Sequence, residues 1–543
     1  MQMKKLIALG LAGLMSTTAI GAALAQPIND NPLSDPRVRQ AIAYAIDMET
    51  IAETIFEGAA VPAVGLLPDG PNKPDDLNPY AYDPDKARAL LAEAGWDSSR
   101  ELDVVYYYAD QATADLMAAM QAYLGDVGIQ MSYRKLEGDV GAQISIPPAD
   151  MDNGPSVVTW DILYGARAAL ALQEYFNRFG PGLMPTIPNV PRMNELVVKV
   201  NGAVDPEVQR EGYFEMERII NENAYIIPLY YQQLYIYESD RLDRHGAPYG
   251  NEQYNYNWGV ENWTIEPDDN GKSVLYTNAA PAQFFEVPWQ NLGIFVLNKY
   301  AFDTVLEADG ALTPIGGEMA ESYEVSEDGL TFSFDLKDGV KWHDGEAITA
   351  DDVTWSIKTA LKFPITNPVL QSTFKKIVGA EAFVAGESDT LEGLSSDGNT
   401  VTLKFATIDP NVLLSFSQFA PLPAKYFDGV DPINLQQAPF WQDPIGSGPF
   451  MIDEVVMNDY TTLVPFEGYH KGTAKIDQII ARPSYDSDPN LLVNASAGKA
   501  DFGYTKVASD VPALEELDFM TVHPVDIPYT RMIWINQFPH PAD

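Results

Sequence analysis

Between residues 35 and 133 the chain alternates capped helices with apolar strands, and that alternation confines this part of the molecule to an α/β layer. In NPLSDPRVRQAIAYAID (31–47), Asp35 is placed to cap a helix and Pro36 to occupy its first position. Val38, Ala41, Ile42, Ala45 and Ile46 then fall on one face. Asp47 caps a second helix that carries Ile51 and Ile55 and stops at Gly58. YDPDKARALLAEAGW repeats the pattern: Asp83 caps, Pro84 starts, Ala87, Leu90, Leu91 and Ala94 form the stripe, and Gly95 ends it. Alternation at Leu102, Val104, Tyr106 and Tyr108 predicts a strand, 111–125 a helix, and Ile129, Met131 and Tyr133 another strand, a β-α-β unit.

Further on, 145–159 reads as a polar loop before the apolar VVTWDILYG, and helices are expected over 192–202 and 206–223. The run Tyr225 to Tyr231 contains Pro228, which implies an edge or a crossing strand. Residues 238–270 are polar and aromatic and read as a linker or surface segment. Beyond them Leu330, Phe332, Phe334 and Leu336 alternate between Asp-Gly turns, and Thr349 with Asp352 forms a capping-box start for Val353, Ile357 and Leu361.

The first residues have the parts of a secretory signal: Lys4 and Lys5, an apolar run from Leu6 to Met15, and the A-x-A site Ala23-Leu24-Ala25. Cleavage is expected before Gln26, giving a protein beyond the inner membrane. No later stretch reaches the roughly 18 unbroken apolar residues of a membrane span. With no cysteine, a lipid-anchoring thiol, disulfides, thiolate metal sites and thiol nucleophiles are excluded. The formal charge of −43, which loss of the two signal lysines makes more negative, repels nucleic acid and anionic lipid. Its plainest reading is a solubilising surface, and 46% apolar content still permits compact lobes.

Three motif groups carry a resemblance. YEVSEDGLTFSFDLKDGVKWHDGEAITADDV (323–353), PIGSGPFMI (444–452) and DPRVRQAIAYAID with YDPDKARALLAEAGW resemble the extracytoplasmic solute-binding proteins of family 5. The resemblance implies a two-lobed periplasmic binding protein fold of the large type II variety. It also implies a ligand cleft between the lobes and a monomeric receptor for an ABC importer, whose permease sits in the inner membrane. Peptides, nickel, sugars and opines are the solutes such receptors serve. The order of the motifs departs from the family: the half normally found late, about 30–260, comes first, and the half normally found early, about 270–543, comes last. The chain therefore resembles a circular permutant, with 1–25 as signal, 26–235 as one lobe and 236–543 as the other. A single covalent crossing is expected near Tyr230 to Tyr237. The strand ending at Gln537 should lie at the hinge, with PHPAD543 beside PLSD35.

Catalytic patterns are scarce. His245, His343, His470, His523 and His540 show no metal-ligand spacing, His343 reads as a turn residue, and no metal or cofactor is expected. Gly446-Ser447-Gly448 lacks the features of a nucleophile elbow or a phosphate loop and reads as a tight bend. By composition alone a secreted glycosidase-like hydrolase stays open, as does a scaffold that has lost its ligand. By resemblance, the cleft candidates are Gln283, Phe284, Trp441, Trp534, Asn536, Trp160, Tyr164 and Arg167, each weighed against a core role. Peptide-binding members carry an aspartate for the peptide ammonium after the strand that VVTWDILYG resembles. Here the continuation is ARAALALQEYF, with no acid before Glu174 and Arg167 nearby, which points to a sugar or an anionic solute such as an opine.

Overall fold

The computed structural model describes residues 29–541, apart from 170, 204, 248, 250–258, 279–285, 291–295, 309–313, 457–458, 483–489 and 508–509. The expected signal, Gln283, Phe284 and Asp543 therefore lie outside the described residues. Helix starts fall where their caps predict. The Asp35 carboxylate accepts from the Arg37 N–H at the head of Pro36–Ala45, and Asp47 serves Met48–Thr54 in the same way. Helix Pro84–Ala94 ends on Gly95 in the left-handed region at φ 72°, a conformation that side chains disfavour. Helix Gln111–Asp126 makes the crossover that lets Glu101–Tyr106 pair in parallel with Gln130–Lys135, and Ile162–Ala168 joins them, also in parallel.

One eleven-stranded sheet runs through the described molecule. Gln130–Lys135, Glu101–Tyr106 and Ile162–Ala168 lie at one end. Phe450–Val456, Tyr460–Pro465, Gln478–Arg482, Val274–Asn278 and Phe502–Thr505 lie at the other. The two ends are joined by a pair of long antiparallel strands, Ile226–Ser239 and Met520–Ile535. Their ladder runs from Met520 opposite Ser239 to Asp526 opposite Gln233, breaks, and resumes from Thr530 opposite Tyr231 to Trp534 opposite Ile226. The register slips again at Leu229, beside Pro228, which has no N–H to give. Pro228 thus sits in a crossing strand.

The break separates two bodies of core. On the near side Ile162, Tyr164, Leu229, Ile533 and Ile535 pack with Val38, Ile42 and Leu116 on one sheet face. Trp160, Leu163, Met532 and Trp534 pack with Phe176, Met193 and Met216 on the other. On the far side the largest core gathers Leu234, Ile236, Leu275, Phe332, Phe334, Val353 and Ile479. The described structure has two crossings rather than the single one expected, because Met520–Ile535 spans both bodies without interruption.

Residues 536–540 continue into the near body. The Asn31 amide donates to the carbonyls of Asn536 at 2.9 Å and Phe538 at 2.8 Å, and the Asn29 amide donates to the Gln537 carbonyl at 3.0 Å. The late strand therefore lies against the early motif, as the exchanged order of the halves requires. The segment 238–270 is not only linker or surface: Trp263 is fully buried, edge-on to Phe502 at 4.8 Å, with the Arg244 guanidinium 5.0 Å from its ring. Its polar composition hides this, since one buried indole and one stacked arginine are enough to anchor it.

Candidate ligand-binding cleft

The parallel strands Glu101–Tyr106 and Ile162–Ala168 end side by side, facing the far body, and Tyr107 and Tyr108 follow directly. Carboxyl ends of parallel strands are the usual place for a ligand in an α/β sheet. The two tyrosine rings lie 4.5 Å apart and their hydroxyls 3.3 Å apart. Tyr107 can lie over the neighbouring strand only because residue 165 is glycine: a Cβ there would meet the Tyr107 hydroxyl and the Trp534 ring at 2.9 Å.

The Met520–Ile535 strand brings Arg531 to this place. Its side chain is 9% exposed, with the guanidinium carbon 3.8 Å from the centre of the Tyr108 ring and 5.1 Å from that of Tyr529. Nε donates to the Gln232 side chain at 2.9 Å, and Nη1 is buried without an acceptor. Tyr529 also lies under Lys506 of the far body, 5.4 Å from its ring centre, and its hydroxyl is 3.3 Å from that of Tyr108. Arg531 therefore sits where the two bodies meet, five residues beyond the last paired residue of the far ladder, Asp526.

Arg167 donates from Nε to the Glu174 carbonyl at 2.8 Å. Burial lowers its pKa, and the Glu174 carboxylate, which accepts from the Ala171 N–H, partly offsets this. Burial also lowers that of Arg178, and the charge of Arg167 lowers it further, so the two guanidinium groups feel one another. Guanidinium groups begin above 12 and stay charged through the physiological range. Burial pushes the phenols of Tyr108 and Tyr164 upward, which keeps them protonated as donors.

The bodies touch beside this group. The Gln173 amide donates to the Asn411 side-chain oxygen at 3.3 Å, and a cavity of about 630 Å³ opens between Gln173, Glu174 and Asn177 on one side and Lys376, Ile408 and Asn411 on the other.

Of the candidates drawn from the sequence, Arg167 and Tyr164 lie on strand Ile162–Ala168, near Tyr107 and Tyr108 respectively. Tyr164 is fully buried behind Tyr108, sharing a hydrogen bond of 2.9 Å with Tyr230. Among the other described candidates, Trp160, Trp441 and Asn536 spend polar atoms inside the bodies. Trp160 Nε1 donates to the Gln143 carbonyl at 3.1 Å, and Trp441 Nε1 to the Leu435 carbonyl at 2.8 Å. Asn536 donates to the Trp160 carbonyl at 3.3 Å, and Trp534 packs in the near core. Sequence reasoning missed Tyr107, Tyr108, Arg178 and Arg531. One signal was available for Arg531: a cation inside the apolar strand RMIWI, which demands a partner or a ligand.

A second polar cluster lies away from the cleft. Asp303, Glu318 and His470 hold ligand-type atoms within 4.8 Å of one another, a set that their sequence spacing does not reveal. The Lys471 ammonium lies 2.5 Å from a Glu318 oxygen and already supplies the positive charge a metal ion would bring. Burial raises both carboxyl groups and lowers His470 to about 4. His343 bridges the WHDG turn to the G-S-G segment, Nε2 to the Gly448 carbonyl at 3.0 Å and Nδ1 to the Gly446 N–H at 3.2 Å. The flanking glycines there serve close approach: a Cβ on Gly446 would meet the Ala301 carbonyl at 2.0 Å.

Comparison with known proteins identifies the fold. The model of the bacterial extracellular solute-binding proteins, family 5 (middle), matches residues 14–161 and 315–542. A Brucella ovis protein whose name provisionally assigns it to peptide binding by an ABC transporter is 29% identical over 205 residues, 37% of this chain and 36% of its own. The dipeptide-binding protein of Lactococcus lactis subsp. cremoris is 30% identical over 199 residues, 35% of this chain and 33% of its own. The oligopeptide-binding protein AppA of Bacillus subtilis, solved with a nonapeptide, is 21% identical, with 44% of this chain and 45% of that one aligned at a TM-score of 0.37. The chain thus spans little more than a third of the length of the first curated relatives it matches, 36%. The family match falls in two separate stretches covering more than half of the chain, and the strand that closes the second lies against the helix that opens the first. The chain belongs to the bacterial extracellular solute-binding proteins of family 5, with the two halves of the family's order exchanged.

Proposed function

We propose that the protein is the receptor of an ABC importer, held beyond the inner membrane after signal cleavage, which closes its two lobes on an anionic solute and presents the closed form to a permease. Members of the family are binding proteins, not enzymes. The proposed lobes are the near body, including 530–541, and the far body from about 233 to 527, hinged where the crossing ladder breaks. One observation carries the choice of solute. The chain has 77 acidic residues against 34 basic ones, yet Arg531 beside Tyr108 on one face of the sheet, and Arg167 with Arg178 near Tyr107 on the other, form no ion pair among the described residues. Desolvated cations that no carboxylate pairs directly are costly unless an anion completes them. The relatives' names favour a peptide-type solute, and the arginines favour one with acidic groups, as an opine or an acidic peptide has.

Intrinsic fluorescence titration against peptides, sugars, opines and nickel tests this reading. Saturable stoichiometric binding without turnover is expected for anionic solutes, with Arg167→Ala weakening it by at least about tenfold. Product formation, or tight binding of unmodified dipeptides that Arg167→Ala leaves unchanged, overturns it.

A further inference from the structure

The three arginines are not one cluster. Arg531 lies opposite Ala166 in the ladder and Arg167 lies opposite Thr530, so the two side chains leave the sheet on opposite faces. On one face Arg531 meets Tyr108 and Tyr529. On the other, Arg167 meets Glu174 and feels Tyr107 and Tyr175, and Arg178 feels Arg167 and Tyr107 in turn. Tyr107 and Tyr108 stand between the two groups at the strand ends, in contact with each other.

The Arg531 site has the marks of a subsite that lacks its acceptor. The residue is buried, its aromatic flanks orient the guanidinium plane, Gln232 takes only Nε, and Nη1 is sealed in without a partner. A buried donor left unmade costs its full desolvation, and a stacked guanidinium is pre-organised for a planar oxyanion. The site also lies at the break in the crossing ladder, next to Tyr529, which Lys506 of the far body covers. An anion arriving there contacts the hinge itself, and both bodies supply its positive surroundings.

We propose that the cleft contains two separate carboxylate subsites, Arg531 on one side of the Tyr107–Tyr108 pair and Arg167 with Arg178 on the other, so that the solute is a dicarboxylate whose two acidic ends straddle the tyrosines. This rests on the receptor reading and narrows its substrate class.

A ladder of probes on one scaffold tests it by calorimetry: N-acetyl-Ala-Ala amide, N-acetyl-Ala-Ala and N-succinyl-Ala-Ala, carrying no, one and two carboxylates, with inorganic phosphate as a further arm. Each added carboxylate is expected to tighten binding by about 10- to 100-fold, and phosphate should not compete at matched concentration. Arg531→Gln should remove one step of the ladder and Arg178→Gln should weaken the other, with circular dichroism confirming the fold of each. Arg178 is less deeply buried than Arg531, so its variant reads out even where Arg531→Gln fails to fold. Equal affinity along the ladder, an unchanged ladder in both variants, or competition by phosphate overturns the two-carboxylate assignment while leaving a receptor. Absence of binding by every probe and by every solute of the wider screen overturns the receptor reading itself.

Discussion

Glu217 shows how one buried acid reports on the whole fold. It lies in helix Pro206–Asn223, 1% exposed, and its carboxylate accepts the backbone N–H groups of Leu66 at 3.1 Å and Leu67 at 2.6 Å. Those two bonds favour the charged form, but burial outweighs them and raises the pKa to about 7. The folded value lies above the ordinary unfolded one near 4.3, so the folded chain keeps a proton that the unfolded chain has already lost. Its contribution to stability is therefore full below about pH 4.3 and declines as pH rises through about 7, by roughly 4 kcal/mol in all. Urea unfolding at pH 5 and pH 8 checks this: the loss across that interval should be smaller in Glu217→Gln than in the parent chain. The comparison is between slopes, because the glutamine amide faces a donor and lowers stability at both pH values.

At the scale of elements, what matters is a ladder of two strands that is continuous in the chain and broken in its pairing. Met520–Ile535 and Ile226–Ser239 hold each body through its own half-ladder, and Ile527, Pro528 and Tyr529 carry no ladder pairing to the partner strand. Bending at such a point costs few hydrogen bonds, and hinges of closing proteins use segments of this kind. The far rim of the cleft supplies the readout, where Gln173 reaches Asn411. The chain has no cysteine, so Gln173→Cys with Asn411→Cys introduces the sole thiol pair. Oxidation of that pair before solute is added should block binding, and reduction should restore it, as fluorescence titration would show. Uptake undiminished by a formed disulfide would mean that entry needs no opening at this rim. Much of this architecture was legible in the sequence, because caps at Asp35, Asp47 and Asp83 and alternation in the strands are local signals. The cleft was legible only in part. Trp160, Trp441 and Trp534 have the composition of a binding wall, and a core wants the same residues, so their role depended on packing that no local pattern encodes. Arg531 and Arg167 acquire a shared meaning only through register, which places them on opposite faces of adjacent strands.

For the molecule as a whole, the exchanged order of halves makes a statement about topology that can be tested by undoing it. The contacts that hold residues 29–31 against 536–538 join segments more than 500 positions apart in sequence, and both belong to one body. A fold of this kind depends on which segments meet, and chain order enters through loop-closure entropy, which grows slowly with length. Linking residue 541 to residue 29 by a short flexible connection removes one set of ends. The turn at Asp268 to Lys272 is exposed and closed mainly by its own hydrogen bonds, from the Asp268 N–H to the Lys272 carbonyl at 2.9 Å and from the Lys272 N–H to the Asp268 carboxylate at 2.9 Å, with one side-chain bond from Lys272 to Gln478 at 3.0 Å, so it accepts new ends at small cost. The rearranged chain, running from 271 to 541 and on from 29 to 270, restores the family's order. It should show the same circular dichroism, a Tm within about 5 °C of the parent, and the same solute affinity, since both crossing strands and Arg167, Arg178 and Arg531 remain intact. A chain that failed to fold, or that folded and lost binding, would show that the present order contributes to the cleft beyond bringing its segments together.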